Sequence, residues 1–227
     1  MLMNGYDRSL HQLKERTRRL SADVSDMLKG ALRSLYTQDG VLAQMVWQHD
    51  DVVDDETNQV EENSLQLISL QQPRQKDLRV IAAALRNARD LERIADYSCD
   101  IARVTEVLAA QPYCVPLQDI ARIGTMALEM VCMAVDAVSR QDAVMARQVS
   151  DSDAAVDRIY QTIQEALMDA MRNDSRVVDQ ASHLSLVARY LERIADHAVN
   201  IAEMAVFVEN GEHRPFRTPR PVYHAGG

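Results

Sequence analysis

Apolar side chains recur along most of the chain at intervals of three and four residues, as in helices that bury one face. Short breaks divide this pattern into six long segments, at about residues 4–36, 41–70, 73–110, 117–139, 141–172 and 175–209. Heptad-like spacing is clearest at Val46, Val53, Val60 and Leu67 in the second segment, and at Val149, Val156 and Ile163 in the fifth. Because the loops between segments are short, the pattern predicts an all-α fold of six long antiparallel helices.

A long internal repeat indicates how these helices are grouped. Residues 89–103 return as residues 189–203 with nine of fifteen positions identical, so chance similarity is a poor explanation. The repeat predicts two tandem three-helix bundles related by duplication, with residues 1–111 as the first and 112–211 as the second. Residues 212–227 form a Pro- and Arg-rich tail that we expect to be disordered in isolation.

Composition narrows the class of protein. Apolar residues make up 47% of the chain, charged residues 26% and aromatic residues only 4%, which is typical of helical proteins. The net charge of −9 argues against a general nucleic-acid binder. No apolar run approaches the length of a membrane span and no signal peptide is apparent, so we expect a cytoplasmic protein without membrane insertion. Three cysteines without a C-x-x-C spacing are expected to be reduced packing residues.

Acidic residues occur in pairs four apart, a spacing that places both side chains on one helix face. The repeated stretch carries Glu92 with Asp96 and, in the second copy, Glu192 with Asp196. Aligning the second and fifth segments on their valines, at an offset of 103, superimposes Asp50 and Asp54 on Asp153 and Asp157. Each half therefore carries two acidic pairs, one on each of two neighbouring antiparallel helices. These eight residues are the predicted metal site.

Like charges four apart destabilise a helix, so bringing two such pairs together requires a compensating cation. Carboxylate oxygens without accompanying Cys or His suit Mg²⁺, Mn²⁺, Fe or, less well, Zn²⁺. Solvated faces are the alternative, as are faces neutralised by Arg89, Arg93, Arg189 and Arg193. No histidine follows a glutamate by three, as in oxygen-activating di-iron bundles, and we expect His49 and His197 to be exposed or hydrogen-bonded.

Three stretches resemble the PhoU family, the accessory and regulatory proteins of high-affinity phosphate uptake. They are residues 71–79 (QQPRQKDLR), 91–96 (LERIAD) and 189–203 (RYLERIADHAVNIAE), within a similarity that spans about residues 8–210. The resemblance implies two similar three-helix bundles, a cytoplasmic location and, often, a homodimer. It also implies that multinuclear iron or zinc clusters can bind at Glu92, Asp96, Glu192 and Asp196, with Asp50, Asp54, Asp153 and Asp157 as partners.

The function that the resemblance implies is that of a non-enzymatic negative regulator. Such an adaptor restrains the sensor histidine kinase of the phosphate regulon and the phosphate ABC transporter, whose ATPase subunit is the second expected partner. A metal-dependent hydrolase or oxidase that uses the carboxylate clusters is the alternative from a different class. A helical scaffold without metal is the third. The sequence shows no Gly-rich phosphate loop, no nucleophile elbow and no catalytic Cys/His signature.

Overall fold

A computed structural model describes residues 5–71, 73–211 and 215–216. It consists of seven α-helices and one 3₁₀ turn, and the described residues contain no strand. The helices are α1 (Gly5–Thr37), α2 (Gly40–Trp47), α3 (Asp50–Gln71), α4 (Gln75–Leu108), α5 (Gln118–Arg140), α6 (Ala143–Asn173) and α7 (Val178–Asn210), with the 3₁₀ turn at Ser175–Val177 before α7. The predicted all-α class is confirmed.

The second predicted segment is not one continuous helix. It is interrupted at Gln48 and His49, between α2 and α3. The Gln48 N–H donates to the carbonyl of Gln44 and the His49 N–H donates to that of Val46, which tightens the last turn of α2. A new helix then begins at Asp50, so that Asp50 lies in a first turn, where the helix dipole favours a carboxylate.

The helices pack as two bundles joined side by side. In the first bundle α4 contacts α1, α2 and α3, and in the second bundle α7 contacts α5 and α6. The two bundles meet where α4 packs against α7 and α1 against α5. The heptad-spaced residues of α2, α3 and α6 are all buried, as their spacing predicts: Val46, Val53, Val60, Leu67, Val149, Val156 and Ile163.

The duplication extends to the corners that join the helices. Gln38 and Gln141, which are equivalent at an offset of 103, both adopt the left-handed conformation, with φ of 53° and 55°. The following residues, Asp39 and Asp142, cap the next helix, because their carboxylates accept from backbone N–H groups of its first turn. Left-handed glutamine is uncommon, and its recurrence shows that both halves use the same turn.

The junction between α4 and α7 joins equivalent positions of the two halves. His197 Nδ1 lies 2.8 Å from Asp90 Oδ1, and Asn200 Nδ2 donates to the same oxygen over 3.2 Å. At the equivalent place the rings of Tyr97 and Tyr190 stack with centroids 5.7 Å apart. Each of these pairs joins position 90 of one repeat to position 97 of the other. The α4–α7 junction therefore has approximate two-fold symmetry, with a polar pair on one side and an aromatic pair on the other.

Helix α7 ends at Asn210, and Gly211 takes the left-handed conformation with φ of 82°. Of the predicted tail, the structure describes only Pro215 and Phe216. Phe216 is half-buried against the hydrophobic core, and its backbone N–H donates to Glu203 Oε1 over 2.9 Å. The prediction of disorder for residues 212–214 and 217–227 lies outside the described residues. Among those described, no helix has a stretch long and apolar enough to cross a bilayer.

Candidate functional site

The antiparallel packing of α3 and α4 brings the first set of predicted carboxylates to one place. Asp50 and Asp54 lie in the first two turns of α3, and Glu92 and Asp96 lie on the C-terminal half of α4. A cleft of about 220 Å³ opens beside them. It is lined by Asp50, Arg93, Asp96, Tyr97, Cys99, Asp100 and Arg103. We call it the α3/α4 cleft.

The pKa of Asp54 reflects carboxylates on both α3 and α4. Desolvation is the largest cause that raises the pKa of Asp54, and the neighbouring negative charges raise it further. Those charges belong to Asp50, Glu92, Asp96 and Asp51. Three of them are members of the predicted set from both helices. The four carboxylates of the first half therefore repel one another across the α3–α4 contact, which is what a cation-binding face requires.

Arginines in the α3/α4 cleft relieve part of this repulsion. Burial raises the pKa of Asp96, while a hydrogen bond of 3.0 Å from Arg93 Nη1 opposes the rise. Burial likewise raises the pKa of Asp100, and Arg103 Nη1, 3.4 Å from Asp100 Oδ1, opposes it. The pKa of each carboxyl group is still raised overall, so the arginines do not fully offset the desolvation of Asp96 and Asp100.

A further arginine neutralises the neighbouring turn of the α3–α4 contact. Arg89 Nη1 donates to Glu92 Oε2 over 3.1 Å, and Arg89 Nη2 donates to Glu61 Oε2 of α3 over 3.0 Å. Arg89 and Arg93 therefore pair with carboxylates of the predicted set. Because both arginine side chains are more than half exposed, these ion pairs are weak and leave the carboxylates open to competition by a multivalent ion.

Cys99 contributes a thiol to the α3/α4 cleft. Its Sγ donates to Asp50 Oδ1 over 3.4 Å. Burial, followed by the charge of Asp50, raises the pKa of this thiol far above its usual range. Cys99 is therefore protonated at neutral pH and is not a thiolate nucleophile. All three cysteines are free, but Cys132 is exposed, so the expectation that all three are packing residues is wrong for Cys132.

The second half places its four predicted residues in the equivalent positions of α6 and α7. Asp153 is buried and Asp157, Glu192 and Asp196 are half-buried, and each takes part in a polar or electrostatic interaction. The burial pattern of residues 191–200 repeats that of residues 91–100 position by position. We call the corresponding surface the α6/α7 face. The backbone frame is thus shared by the two acidic faces.

Four of the positions that line the α3/α4 cleft carry a different residue in the second half. His197, Val199, Asn200 and Glu203 stand in place of Tyr97, Cys99, Asp100 and Arg103. Glu203 is only 8% exposed. The first half therefore has a guanidinium at position 103, whereas the second half has a buried carboxylate at the equivalent position.

As they stand, no three Asp, Glu, His or Cys side chains within the described ranges are arranged to hold one metal ion. Asp50, Glu92 and Asp96 act on Asp54 as neighbouring charges, and Arg89 and Arg93 pair with Glu92 and Asp96. The chemistry of the donors, oxygen with one adjacent thiol, fits a divalent ion once the arginines move aside. The eight predicted metal ligands therefore remain a prediction.

Sequence reasoning missed part of the cleft lining. Cys99, Tyr97 and Arg103 were not expected there, although they lie three, one and seven residues from Asp96 on the same helix. The helical spacing of Cys99 and Arg103 from Asp96 could have indicated that they share its face. The expectation for the histidines is confirmed, since His49 is exposed and His197 is bonded to Asp90.

Fold and site together define a class: helical proteins in which a duplicated three-helix unit carries two pairs of acidic residues in each half. The family model described as "PhoU domain" matches residues 17–105 and again residues 120–205. The chain belongs to the PhoU family. This confirms the resemblance carried by residues 71–79, 91–96 and 189–203.

Individual relatives agree over nearly the whole chain. A protein of Zymomonas mobilis named "Phosphate-specific transport system accessory protein PhoU homolog" is 34% identical over 84% of this chain and 81% of its own. A protein of Aquifex aeolicus with the same name is 34% identical over 90% of this chain and 93% of its own. The crystal structure of PhoU from Pseudomonas aeruginosa superimposes with a TM-score of 0.88 at 30% identity, covering 91% of this chain and all of that one.

Proposed function

We propose that this protein is an accessory protein of phosphate-specific transport that negatively regulates phosphate uptake and phosphate-regulon signalling. The observation that carries the proposal is the similarity to the PhoU relatives across both halves, including the acidic stretches of α4 and α7. The protein would act without catalysis, in the cytoplasm, as an adaptor between the sensor histidine kinase and the ATPase subunit of the transporter. We further propose that it acts as a homodimer.

Metal binding is the second part of this proposal. The repulsion among Asp50, Asp54, Glu92 and Asp96 supports it, because a multivalent cation would relieve an electrostatic cost that the exposed arginines only reduce. In the second half Asp153, Asp157, Glu192 and Asp196 would provide the equivalent ligands. Bound Fe, Zn, Mn or Mg would join α3 to α4, or α6 to α7, and so stiffen the surface that partners meet.

A regulon reporter tests the regulatory role. The gene is deleted from its host, and a promoter of the phosphate regulon drives a reporter in phosphate-rich medium. The proposal predicts that repression is lost and that the wild-type gene on a plasmid restores it. Full repression in the deletion strain, with no second copy of a related gene present, would contradict the regulatory role.

Complementation with variants separates metal binding from regulation. The test variant combines Asp54→Asn, Glu92→Gln, Asp157→Asn and Glu192→Gln, and the control combines Asp55→Asn with Asp151→Asn, which are exposed on α3 and α6. We expect the control to restore repression and the test variant to fail, provided that both accumulate to wild-type levels. Repression by the test variant would show that regulation does not need the acidic faces.

Partner capture tests the adaptor role directly. Cells that express a tagged chain are grown in phosphate-rich medium, and the kinase and the transporter ATPase are quantified in the eluate against an untagged control. The proposal predicts enrichment of both proteins. Enrichment of neither would contradict the adaptor role, whatever the reporter shows.

A further inference from the structure

A cavity of about 240 Å³ lies where the two halves of the molecule meet. Its lining comes mainly from α1 and α4 of the first half and from α5 and α7 of the second, and includes Lys14, Asn87, Leu91, Val138 and Ile201. A cavity of about 150 Å³ is large enough to hold benzene, so by the same ratio this one has room for about ten non-hydrogen atoms. We call it the junction cavity.

The interior of the junction cavity is largely apolar and lies between two hydrophobic clusters. Leu91 and Ile201 line it and belong to the main core of the protein. Ala83 and Val208 also line it, but they belong to a small separate cluster that includes Met204. An apolar molecule in the cavity would join the two clusters and cover the surface that each exposes to the gap.

One buried polar group in this apolar wall lacks a partner. Asn87 lines the junction cavity and is 2% exposed, and its Oδ1 accepts no hydrogen bond from any described residue. An unsatisfied buried acceptor is costly, and native proteins contain few of them. A hydroxyl group on a molecule inside the cavity would supply the donor that this amide lacks.

The repeat shows that the fold does not require these residues. Leu184 and Val187, both 0% exposed, stand at the positions equivalent to Ala84 and Asn87. The same helix position therefore packs well with larger, fully apolar side chains. Ala84 and Asn87 both line the junction cavity, and they leave space and an unpaired amide where the second half has methyl groups. This difference favours a ligand over a packing requirement.

The residues of α1 at the surface end of the cavity favour an anion. His11, Lys14 and Arg18 line the cavity and are exposed. Arg18 Nη2 donates to Glu15 Oε2 over 3.1 Å, so Lys14 carries the net positive charge of this rim. His11 adds to that charge when it is protonated. The rim thus departs from the net charge of −9 of the whole chain and attracts negative groups locally.

We propose that the junction cavity binds a medium-chain hydroxy acid. The hydrocarbon chain, of about eight carbons, fills the apolar interior. The hydroxyl donates to the Asn87 amide, and the carboxylate lies at the rim beside Lys14. Because this ligand contacts helices of both halves, it stabilises their junction. The site is separate from the acidic faces, and the proposal holds whether or not the protein regulates phosphate uptake.

NMR of the full chain, labelled with ¹³C at the alanine methyl groups, tests this proposal with 3-hydroxyoctanoate as the probe. We expect the signals of Ala83 and Ala84 to shift with a Kd on the order of 0.1 mM. The signal of Ala181, about 30 Å from Ile201 along α7, should not move. No shift of Ala83 or Ala84 at about 10 mM, a hundred times that Kd, would overturn the proposal.

Native mass spectrometry of the purified chain is carried out first, so that a molecule retained from the cell does not block the titration. If the mass is that of the chain alone, the titration proceeds. If a bound molecule is found, it is extracted and identified. A medium-chain hydroxy acid would support the proposal, and a molecule of another class in the cavity would overturn it.

Matched compounds test the two polar groups of the ligand. Octanoate lacks the hydroxyl and should bind about tenfold more weakly, because the Asn87 amide stays unpaired. Octylamine has an ammonium group in place of the carboxylate and should bind more weakly still. Equal affinities for the three compounds would overturn the assigned chemistry.

A double variant that copies the second half tests the location. Ala84→Leu with Asn87→Val reproduces Leu184 and Val187, so it should abolish the shift of Ala83 and raise the melting temperature of the ligand-free protein. Asn87→Val alone should remove the preference for 3-hydroxyoctanoate over octanoate. Binding by the double variant with wild-type affinity would place the ligand elsewhere and overturn the proposal.

Substitutions on α1 test the charge of the rim. Lys14→Ala should weaken the binding of 3-hydroxyoctanoate about fivefold. Arg19→Ala is the matched control, because Arg19 is exposed on the same helix and does not line the cavity. If the two variants had the same affinity, the carboxylate would not lie beside Lys14.

Discussion

The two acidic faces share one frame and differ in how their charge is balanced. In the first, Arg93 and Arg103 on α4 donate to Asp96 and Asp100 of the same helix. In the second, position 103 is replaced by Glu203, whose oxygen accepts from the backbone of Phe216. Duplication has kept the packing positions and the paired carboxylates, and it has changed the charge at positions 100 and 103. Equivalent surfaces of one chain can thus acquire different electrostatics without any change of fold.

Substitutions of core residues at equivalent positions of the two halves should lower the free energy of unfolding equally. These are the largest effects that we expect. Leu91 and Leu191 are both buried, at 1% and 0% exposure. Each Leu→Ala change should lower the free energy of unfolding by about 3 kcal/mol, because it removes buried methyl groups and leaves a cavity. Urea denaturation followed by circular dichroism gives both values. Leu186→Ala, on the exposed face of α7, is the control and should cost little.

A clear inequality between Leu91→Ala and Leu191→Ala would break the equivalence of the two halves. Two unfolding transitions, of which each variant shifts only one, would mean that the two bundles unfold separately, rather than as one unit joined by the α4–α7 and α1–α5 contacts.

Substitution of Asp90, on the polar side of the α4–α7 junction, should have an intermediate effect on stability. Asp90→Ala would leave both His197 Nδ1 and Asn200 Nδ2 without the acceptor that they share, at a cost of about 2 kcal/mol. Asp90→Asn keeps an acceptor oxygen and should cost clearly less. Thermal unfolding compares the two variants. If Asp90→Ala were as stable as Asp90→Asn, the hydrogen bonds between the halves would contribute nothing.

The smallest expected effect on stability comes from removing the charge of Asp54, beside the α3/α4 cleft. The pKa of Asp54 is raised in the folded chain, so its ionisation favours unfolding. Stability is therefore lost as pH rises from the unfolded value, near 3.8, through the raised value. Asp54→Asn removes this loss and should stabilise the metal-free protein at neutral pH by about 0.5 kcal/mol. This stabilisation should disappear at pH values below that range.

Melting temperatures from pH 3 to pH 8 would show the predicted dependence for Asp54→Asn. Asp55→Asn changes the next residue along α3, and its melting temperatures are compared with those of Asp54→Asn. A stabilisation by Asp54→Asn that is constant with pH would show that its cause is not the charge.

Hydrophobic periodicity predicted the fold because burial decides it. Val53, Val60, Val149 and Val156 repeat at the intervals of a helix, and all four are buried. The break at Gln48 and His49 was missed, since neither Gly nor Pro marks it. It depends instead on a tight turn of hydrogen bonds at the end of α2.

The acidic set was predictable for a different reason. Spacing places Asp50 with Asp54, and Glu92 with Asp96, on single helix faces, and the repeat pairs those faces. The contact of Cys99 with Asp50 and the contact of Phe216 with Glu203 depend on how separate segments meet. No local pattern encodes a contact between segments, so these two features required the structure.

Crystals soaked in MnCl₂, with anomalous differences collected near the manganese edge, test the central claim most directly. That claim is that the first duplicated unit gathers Asp50, Asp54, Glu92 and Asp96 beside a cleft where a multivalent ion binds. We predict an anomalous peak among these four carboxylates. Anomalous peaks elsewhere, with none in the α3/α4 cleft at saturating Mn²⁺, would contradict it.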